Sequence, residues 1–455
     1  MRTVTQTRKK LEKGVLFVKK KLLSILLSAT LAISTLAGCG ASGSGSGSET
    51  ASGGDNGGAE EITWMFWDDL NATEDLISLG YKDVIDRFNK DYEGVYHVTP
   101  ITTNLEEYYT KLNALVASGE TPDCFIVSPG PNLTTYVDPG VAADLTPYLE
   151  ADGWKDTFSS DSVFSQQTYD GKIYAVPLNI AAACVFYNTE MFEKAGVEVP
   201  KTWDELLAAC DKLQKAGYTP ITISAGTAWC LSMLCAYLMD REGASLADME
   251  SGKESWVNDK TIDVGNKMLE LSKYFQPTAA GDTNDVATAA FYNEEAAILI
   301  QGSWAIGQIN GSNPAFEEKC GVFQFPALDG GNDPNRVIAK SDSLAMSANT
   351  EHPEAVIALM KYFTDDTAQK YTAEKGGKIP VTNVSYDEEA APAQLAYVMD
   401  IFKNASGTFG FLNESLKTTE AGSFFDDQMV SIYLGSQTPE QGFQSIEDWY
   451  VDNIR

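Results

Sequence analysis

The sequence predicts an α/β protein built as two lobes, because strand and helix patterns alternate along it and the alternation restarts after Tyr174. The first strand pattern, residues 62–67, is a nearly continuous apolar run, which is typical of a strand covered on both faces. The length of 455 residues also fits two or three domains at about 150 residues each.

The first lobe is predicted to contain a parallel βαβαβ unit. Apolar residues spaced i, i+3, i+4, i+7 from Tyr81 to Phe88 predict a helix after the first strand. A strand near 95–101, a helix opened by Asn104 and an apolar strand at 124–127 follow. Three strands separated by two helices indicate a parallel arrangement.

The elements after the restart are marked by helix-capping residues and by short apolar runs. They are a helix opened by the capping box Thr202-x-x-Glu205, strands at 220–223 and 296–300, a helix opened by His352-Pro353, and a final helix opened by Thr438-x-x-Gln441.

The N-terminus has the three parts of a secretory signal. Basic residues at 19–21 precede an uncharged apolar run at 22–36, and Leu36-Ala37-Gly38-Cys39 resembles a bacterial lipobox. The apolar run is shorter than the ~20 residues that a spanning helix needs. We expect residues 1–38 to be a lipoprotein signal peptide and residues 39–60 to be a lipidated Cys39 followed by a Gly/Ser tether.

Charge and composition exclude several partners. The chain has 33 basic and 64 acidic residues, a net charge of −31, which weighs against nucleic acid and against anionic lipid surfaces. Membrane contact is therefore expected through the lipid anchor alone. With Cys39 lipidated, six sparse cysteines remain, and we favour mostly buried free thiols over disulfides.

The sequence contains no recognisable catalytic or metal-binding motif. Phosphate-loop, dinucleotide, nucleophile-elbow and zinc-protease patterns are all missing, and there are two histidines in the chain. Asp68-Asp69 could be an acid/base pair, but adjacent residues at a strand end point apart, so contact with a polar ligand or plain solvation is favoured. We expect no catalytic residue, no metal, no cofactor and no enzymatic activity.

Six sequence blocks occur in an order and spacing that resemble the extracellular sugar-binding lipoproteins of ABC importers, similar to the maltose/oligosaccharide-binding family. They are Ser118-Gly119-x-x-Pro122-Asp123, Asp170-Gly171-Lys172-Ile173-Tyr174-Ala175-Val176-Pro177, Phe186-Tyr187-Asn188-x-x-x-Phe192-x-Lys194-Ala195-Gly196, Pro200-x-Thr202-Trp203-Asp204-Glu205-Leu206, Ala296-Ala297-Ile298-Leu299-Ile300-Gln301-Gly302-Ser303-Trp304, and Ile379-Pro380-Val381. The resemblance covers essentially residues 61–455.

This resemblance implies a periplasmic-binding-protein-like fold, in which three crossings join two α/β lobes and the ligand lies in the cleft between them. By motif matching, the crossings fall near 176–182, 325–327 and 379–380. Lobe one would then be 61–177 plus 328–378, and lobe two 183–325 plus 381–455. The implied partners are a carbohydrate and the permease subunits of an ABC transporter, and the chain is expected to be a monomer on the extracellular face of the cell membrane.

Seven residues are candidates for ligand contact: Trp67, Asp68, Asp69, Asn179, Trp229, Trp304 and Asp342. Trp304 matches a position where relatives stack an aromatic ring on a sugar, and Trp67 lies where open α/β sheets bind ligands. A core role is the alternative for both. No aromatic residue occurs at 128–132, and alanines at 181–183 stand where some relatives have an acidic ligand contact, which weighs against a maltodextrin-like ligand.

The predicted function is that of a lipid-anchored receptor, which captures an oligosaccharide or monosaccharide and delivers it to an ABC permease. Two alternatives from other classes remain open. One is a receptor for a non-sugar solute, such as a peptide or polyol, or a receptor that serves sensing. The other is a surface glycosidase, since glycosidase carboxylates have no universal sequence signature.

Overall fold

The computed structural model describes residues 58–72 and 74–455 and arranges them around two β-sheets. The predicted signal peptide, Cys39 and most of the tether lie outside the described residues. Within the described part of the chain, no helix is both long enough and apolar enough to cross a membrane.

Strands and helices are numbered separately in chain order. The strands are β1 (Glu60–Trp67), β2 (Tyr96–Thr103), β3 (Cys124–Val127), β4 (Thr168–Tyr169), β5 (Lys172–Ile173), β6 (Val176–Pro177), β7 (Ala181–Asn188), β8 (Thr219–Thr222), β9 (Ala296–Gly302), β10 (Cys320–Phe323), β11 (Arg336–Lys340), β12 (Ser343–Met346) and β13 (Gly407–Phe409). The α-helices are α1 (Leu76–Asp91), α2 (Leu105–Ser118), α3 (Pro131–Val137), α4 (Thr146–Glu150), α5 (Thr189–Ala195), α6 (Trp203–Lys215), α7 (Ala228–Glu242), α8 (Leu246–Glu250), α9 (Asp259–Leu271), α10 (Asn284–Tyr292), α11 (Ala305–Ser312), α12 (Pro353–Phe363), α13 (Asp366–Glu374), α14 (Ala393–Lys403), α15 (Leu412–Ser415), α16 (Thr419–Tyr433) and α17 (Pro439–Asn453). Short 3₁₀ helices span Ala151–Gly153, Lys155–Thr157, Asp161–Gln167, Ser272–Tyr274 and Pro314–Lys319.

The first sheet has the strand order β2-β1-β3-β12-β6. β1 pairs in parallel with both β2 and β3, and α1 and α2 are the two connecting helices, so the predicted βαβαβ unit is confirmed. The apolar run in β1 is buried, as the continuous pattern indicated. β12 joins this unit from far along the chain, antiparallel to β3.

The second sheet has the order β13-β11-β7-β9-β8, and β10 also pairs with β7. β8 and β9 are parallel, whereas β7 is antiparallel to β9, β10 and β11. Every residue of β9 is buried, because helices and strands cover it on both faces. Each sheet has its own hydrophobic core, so the alternation of elements along the chain produces two lobes.

The capping residues named from the sequence begin the helices as predicted. Asn104 accepts a hydrogen bond from the backbone at the start of α2, and Thr202 with Glu205 forms a reciprocal capping box on α6. Thr438 and Gln441 form a second capping box on α17. The six cysteines beyond residue 57 are buried and free, which confirms the preference for thiols.

Three chain segments run side by side between the sheets. In the segment between β6 and β7, Leu178 N donates to Asp342 O (2.9 Å). Asp342 lies in the segment between β11 and β12. Ile180 and Ile379 exchange backbone hydrogen bonds of 2.8 and 3.1 Å. Residues near 178–180, 341–342 and 379 therefore form the connection between the lobes.

The middle crossing is displaced from its predicted place at 325–327. β11 pairs with β7 and β13 of the second sheet, and Leu328 and Ile338 lie in the second core. Residues 328–340 therefore belong with lobe two and not with lobe one. Residues 325–327 lie instead inside lobe two, where Ala327 pairs with Thr202. Residues 381–383 also differ from the predicted bounds, because Val381 lies in the core of lobe one and Asn383 N donates to Thr157 O (2.9 Å). We propose the remaining lobe bounds as inferred from the sequence.

Candidate functional site

A cavity of about 1280 Å³ lies between the lobes. The first lobe contributes the carboxyl end of β1, with Trp67, and α2, with Tyr109. The second lobe contributes the residues after β9 and the start of α7. Carboxyl ends of strands are the usual place for ligands in α/β sheets, because side chains of several loops converge there.

Trp304 lies in the cavity wall immediately after β9. The preceding residue is fixed by two hydrogen bonds to β7, since Ser303 N donates to Ala182 O (2.9 Å) and Ala182 N donates to Ser303 Oγ (3.2 Å). The indole ring folds back over Gly302, where any Cβ would overlap the ring. The glycine is therefore needed for this position of the ring, which stays partly exposed.

Trp304 is one of three aromatic residues, together with Trp229 and Phe411, that we call the aromatic cluster. The ring centroids of Trp229 and Trp304 are 6.0 Å apart, and Phe411 lies 6.2 Å from the first and 5.6 Å from the second. All three line the cavity. Trp229 is the second residue of α7. The cluster gives lobe two an aromatic wall.

Trp67 is packed mainly into the core of lobe one. It is 8% exposed, and its ring packs edge to face against Tyr108 at 5.1 Å. It nevertheless lines the cavity, as does the neighbouring Tyr109. Ser128 N donates to Tyr109 Oη (3.0 Å), which fixes the phenol against β3.

Asp68 and Asp69 lie on the exposed margin of the cavity. Asp68 has a φ of 146°, which is unusual for a residue with a Cβ and is the kind of backbone conformation that concentrates at functional sites. Asp69 accepts a hydrogen bond from Asn71 N (2.9 Å), so its carboxylate also stabilises the turn after β1.

Lys340, Asp342 and Glu414 form a charged cluster in the cavity wall. Lys340 Nζ lies 3.3 Å from Asp342 Oδ1 and 3.3 Å from Glu414 Oε1, and it donates to Ser128 Oγ of lobe one (3.4 Å). Burial disfavours the ammonium, but the two carboxylates outweigh this effect and raise the pKa of Lys340. Burial raises the pKa of Glu414, against the opposing effect of Lys340.

Two further ionisable side chains line the cavity and are almost completely buried. Burial lowers the pKa of Lys378, which is 6% exposed. Burial also raises the pKa of Asp426 to about 7. Asp426 Oδ2 accepts a hydrogen bond from Asn413 Nδ2 (3.3 Å). These groups supply both donors and acceptors inside the cavity.

Asn179 is the predicted contact that the structure places elsewhere. Six of the seven candidates line the cavity, but Asn179 is fully buried in the first crossing and outside the cavity wall. Its Nδ2 donates to Tyr81 Oη (3.1 Å), and Tyr81 in turn lines the cavity. The prediction of a direct contact at Asn179 is therefore replaced by a supporting position behind Tyr81.

Several lining residues were not predicted from the sequence, among them Tyr109, Lys378, Phe411, Glu414, Asp426 and Trp449. The last four come from the C-terminal segment, which carries no motif of the resembled family in the blocks quoted above. Lys340 is two residues before the candidate Asp342, so the sequence already brought a lysine close to that carboxylate. The others are brought to the cavity by long-range packing alone.

The arrangement suits a ligand with an apolar face and a polar edge. Aromatic rings offer flat apolar surfaces, while carboxylates and ammonium groups nearby offer hydrogen bonds that are strong in a buried setting. Among the described residues that line the cavity there is no histidine or cysteine.

Comparisons with known proteins agree with this geometry. Residues 74–370 match the model of the family described as bacterial extracellular solute-binding protein. A "Multiple sugar-binding protein" of Streptococcus mutans is 27% identical over 301 residues, covering 63% of this chain and 69% of that protein. An uncharacterised ABC transporter extracellular-binding protein of Pyrococcus horikoshii is 27% identical over 401 residues, covering 84% of this chain and 85% of its own.

Solved structures share the fold. A protein from work on xylan utilization by Caldanaerobius polysaccharolyticus has a TM-score of 0.79 and 25% identity, covering 86% of this chain and 99% of its own. Maltose-bound MalE3 of T. maritima has a TM-score of 0.72 and 23% identity, and the match covers 86% of this chain and 99% of that one. The predicted two-lobed α/β fold and the resemblance to binding proteins of ABC importers are confirmed. The chain therefore belongs to the bacterial extracellular solute-binding protein family.

Proposed function

We propose that this protein is a lipid-anchored extracellular receptor that captures a carbohydrate between its lobes and delivers it to an ABC transporter permease. The observation that carries the proposal is the cavity wall itself. There the aromatic cluster of Trp229, Trp304 and Phe411 adjoins the charged cluster of Lys340, Asp342 and Glu414, and Lys340 Nζ lies 5.4 Å from the centroid of Phe411.

A carbohydrate matches this wall in both parts. The C–H face of a sugar ring is apolar and stacks on aromatic rings, while its hydroxyl groups both donate and accept hydrogen bonds. Charged partners strengthen those bonds, and Lys340, Asp342 and Glu414 are largely buried. A peptide would use backbone groups and charged termini, for which the aromatic wall offers no specific partner.

Relatives support the carbohydrate and the importer. Proteins of this family that resemble the chain carry names that include sugar binding and ABC transport. The predicted lipobox at Cys39 and the Gly/Ser tether would hold such a receptor close to its permease. In this role the ligand is bound and released unchanged, and the protein acts as a monomer.

A ligand panel tests the proposal. Purified protein is melted in the presence of neutral mono- and oligosaccharides, with polyols and short peptides as the comparison set. One chemical series of sugars should raise the melting temperature with concentration, because a ligand that binds only the folded state stabilises it by mass action. The bound sugar, recovered and weighed by mass spectrometry, should be intact.

Three outcomes of the panel contradict the proposal. Stabilisation by peptides or polyols alone would favour a receptor for another solute. Shortened or hydrolysed sugar would favour a glycosidase. No stabilisation by any sugar would leave the aromatic and charged clusters without the ligand proposed for them.

A further inference from the structure

Phe424 and Trp449 form a stacked aromatic pair in the part of the cavity built by the two C-terminal helices. Phe424 is on α16 and Trp449 on α17, and their ring centroids are 5.6 Å apart with an interplanar angle of 19°. Both rings are partly exposed, and both line the cavity. We call them the C-terminal pair.

The C-terminal pair lies beside the core-facing stripes of its helices. The core stripe of α16 is formed by Phe425, Met429 and Ile432, and the stripe of α17 includes Phe443 and Ile446. Phe424 falls outside the i, i+3, i+4 spacing of the residues named on α16, whereas Trp449 is three residues after Ile446. Both rings pack against the core and stay partly exposed. Core packing therefore covers part of each ring and leaves another part open to the cavity.

The pair is also distinct from the aromatic cluster. Within the described residues, the ring contacts of Phe424 and Trp449 are with each other and with Tyr450, and none is with Trp229, Trp304 or Phe411. The same helix, α16, also contributes four polar residues to the cavity wall, namely Thr419, Glu420, Ser423 and Asp427. The same combination of aromatic face and hydrogen-bonding groups thus occurs twice along the cavity.

We propose that the C-terminal pair is a second stacking subsite, and that the ligand is an oligosaccharide long enough to reach from the aromatic cluster to this pair. The inference rests on the proposed function and adds the ligand's length to it. A cavity of about 1280 Å³ exceeds the ~300–1000 Å³ of most small-molecule pockets, so it has room for several sugar rings.

The test is a length series measured by calorimetric titration. The probes are xylo-, cello-, manno-, malto- and chito-oligosaccharides of one to six rings, applied to the wild type and to Trp449→Ala. In the series that binds, wild-type affinity should rise with ring number. Trp449→Ala should weaken the longer members about 10- to 100-fold, since stacking on an aromatic ring has that scale, and change the shortest binding member less than about twofold.

Matched variants separate stacking from a general structural effect. Tyr397→Ala removes an aromatic side chain that is 55% exposed on α14 and outside the cavity wall, so it should keep every affinity. Trp449→Phe should retain most of the affinity for long members. If Trp449→Ala melts far below the wild type, Phe424→Ala provides the same length comparison.

The results of these titrations distinguish a failure of the second subsite from a failure of the proposed function. Equal loss for short and long members, or no loss for either, overturns the second subsite. A monosaccharide that binds as tightly as its hexamer also overturns it, while leaving the carbohydrate receptor in place. No binding by any sugar overturns the proposed function, and the second subsite with it.

Discussion

The ring of Trp304 can occupy the cavity wall because residue 302 has no side chain. If the ring stacks on a sugar, Trp304→Ala should raise Kd for the sugar found in the panel about 10- to 150-fold. Calorimetric titration beside thermal melting checks this, since a purely core role would instead cost ~3–5 kcal/mol of folding stability and leave the affinity of the folded protein unchanged.

Gly302→Ala is a second variant for the same site, because it displaces the ring without deleting it. Its affinity for the panel sugar should fall, as in Trp304→Ala. A normal Kd in folded Trp304→Ala protein would remove the stacking assignment.

Asp426 makes the stability of the protein depend on pH. Burial raises the pKa of this carboxyl from an ordinary 3.8 to about 7 in the folded state. Below about pH 4 the group is protonated in both states, and above about pH 7 it is ionised in both, so the folded state bears the cost of a buried charge only at the higher pH. Its contribution to stability therefore falls as pH rises between these values.

Replacing the carboxyl removes this effect. The free energy of unfolding of Asp426→Asn, measured by urea titration, should increase relative to the wild type by as much as about 4 kcal/mol from pH 4 to pH 8. A difference between the two proteins that is the same at every pH would contradict the burial of an ionisable group here.

Cys39 is the residue on which the proposed anchor depends. The tether after it, residues 40–60, has no aromatic residue that could insert into a bilayer. Cys39→Ser should therefore release the protein from membranes or block its processing. Metabolic labelling with a fatty acid checks this, and equal labelling of wild type and variant would rule out lipidation at this site.

Among the elements, those with a strong local pattern were predictable. The continuous apolar run in β1 predicts the burial that the structure shows. The capping boxes of α6 and α17 predict the hydrogen bonds found at the starts of these helices. β11 was not predictable, because its place in the second sheet depends on pairing with β7, which is far away in the sequence. Short strands carry little periodicity, so pairing partners decide where they belong.

The start of α1 and the end of α11 allow the lobes to approach each other beside the cavity. Gly311 of α11 faces the backbone carbonyl of Glu74, and any Cβ there would overlap that oxygen. Gly311→Val should hold the lobes apart and weaken sugar binding, although residue 311 is outside the cavity wall. Titration of the variant with the panel sugar checks this.

A control for this substitution is Gly281→Ala, because the nearest atom to a Cβ at Gly281 is a carbonyl oxygen 3.9 Å away. This variant should bind like the wild type. Unchanged affinity in Gly311→Val would show that the contact with Glu74 does not limit closure.

The place of the cavity could be predicted from the sequence, but only part of its wall could. Trp67 and Trp304 follow buried strands, and an α/β sheet brings such positions to one edge, so they could be predicted. Phe411, Asp426 and Trp449 come from helices and loops that reach the cavity through the packing of the C-terminal segment. No local pattern in one sequence reports that packing.

In the proposed function, a carbohydrate is held between two lobes that close on it. Three adjacent crossings near 178–180, 341–342 and 379 join the lobes, and hinge motion at such crossings is a common route to ligand capture. Binding then shifts the equilibrium between open and closed forms, because the closed form makes more contacts with the sugar.

Small-angle scattering with and without the panel sugar measures whether the lobes close. The radius of gyration should be smaller at saturating sugar than in its absence, and it should not change with a sugar that fails to raise the melting temperature. The same radius of gyration with and without a saturating, bound sugar would contradict closure of the lobes around the ligand.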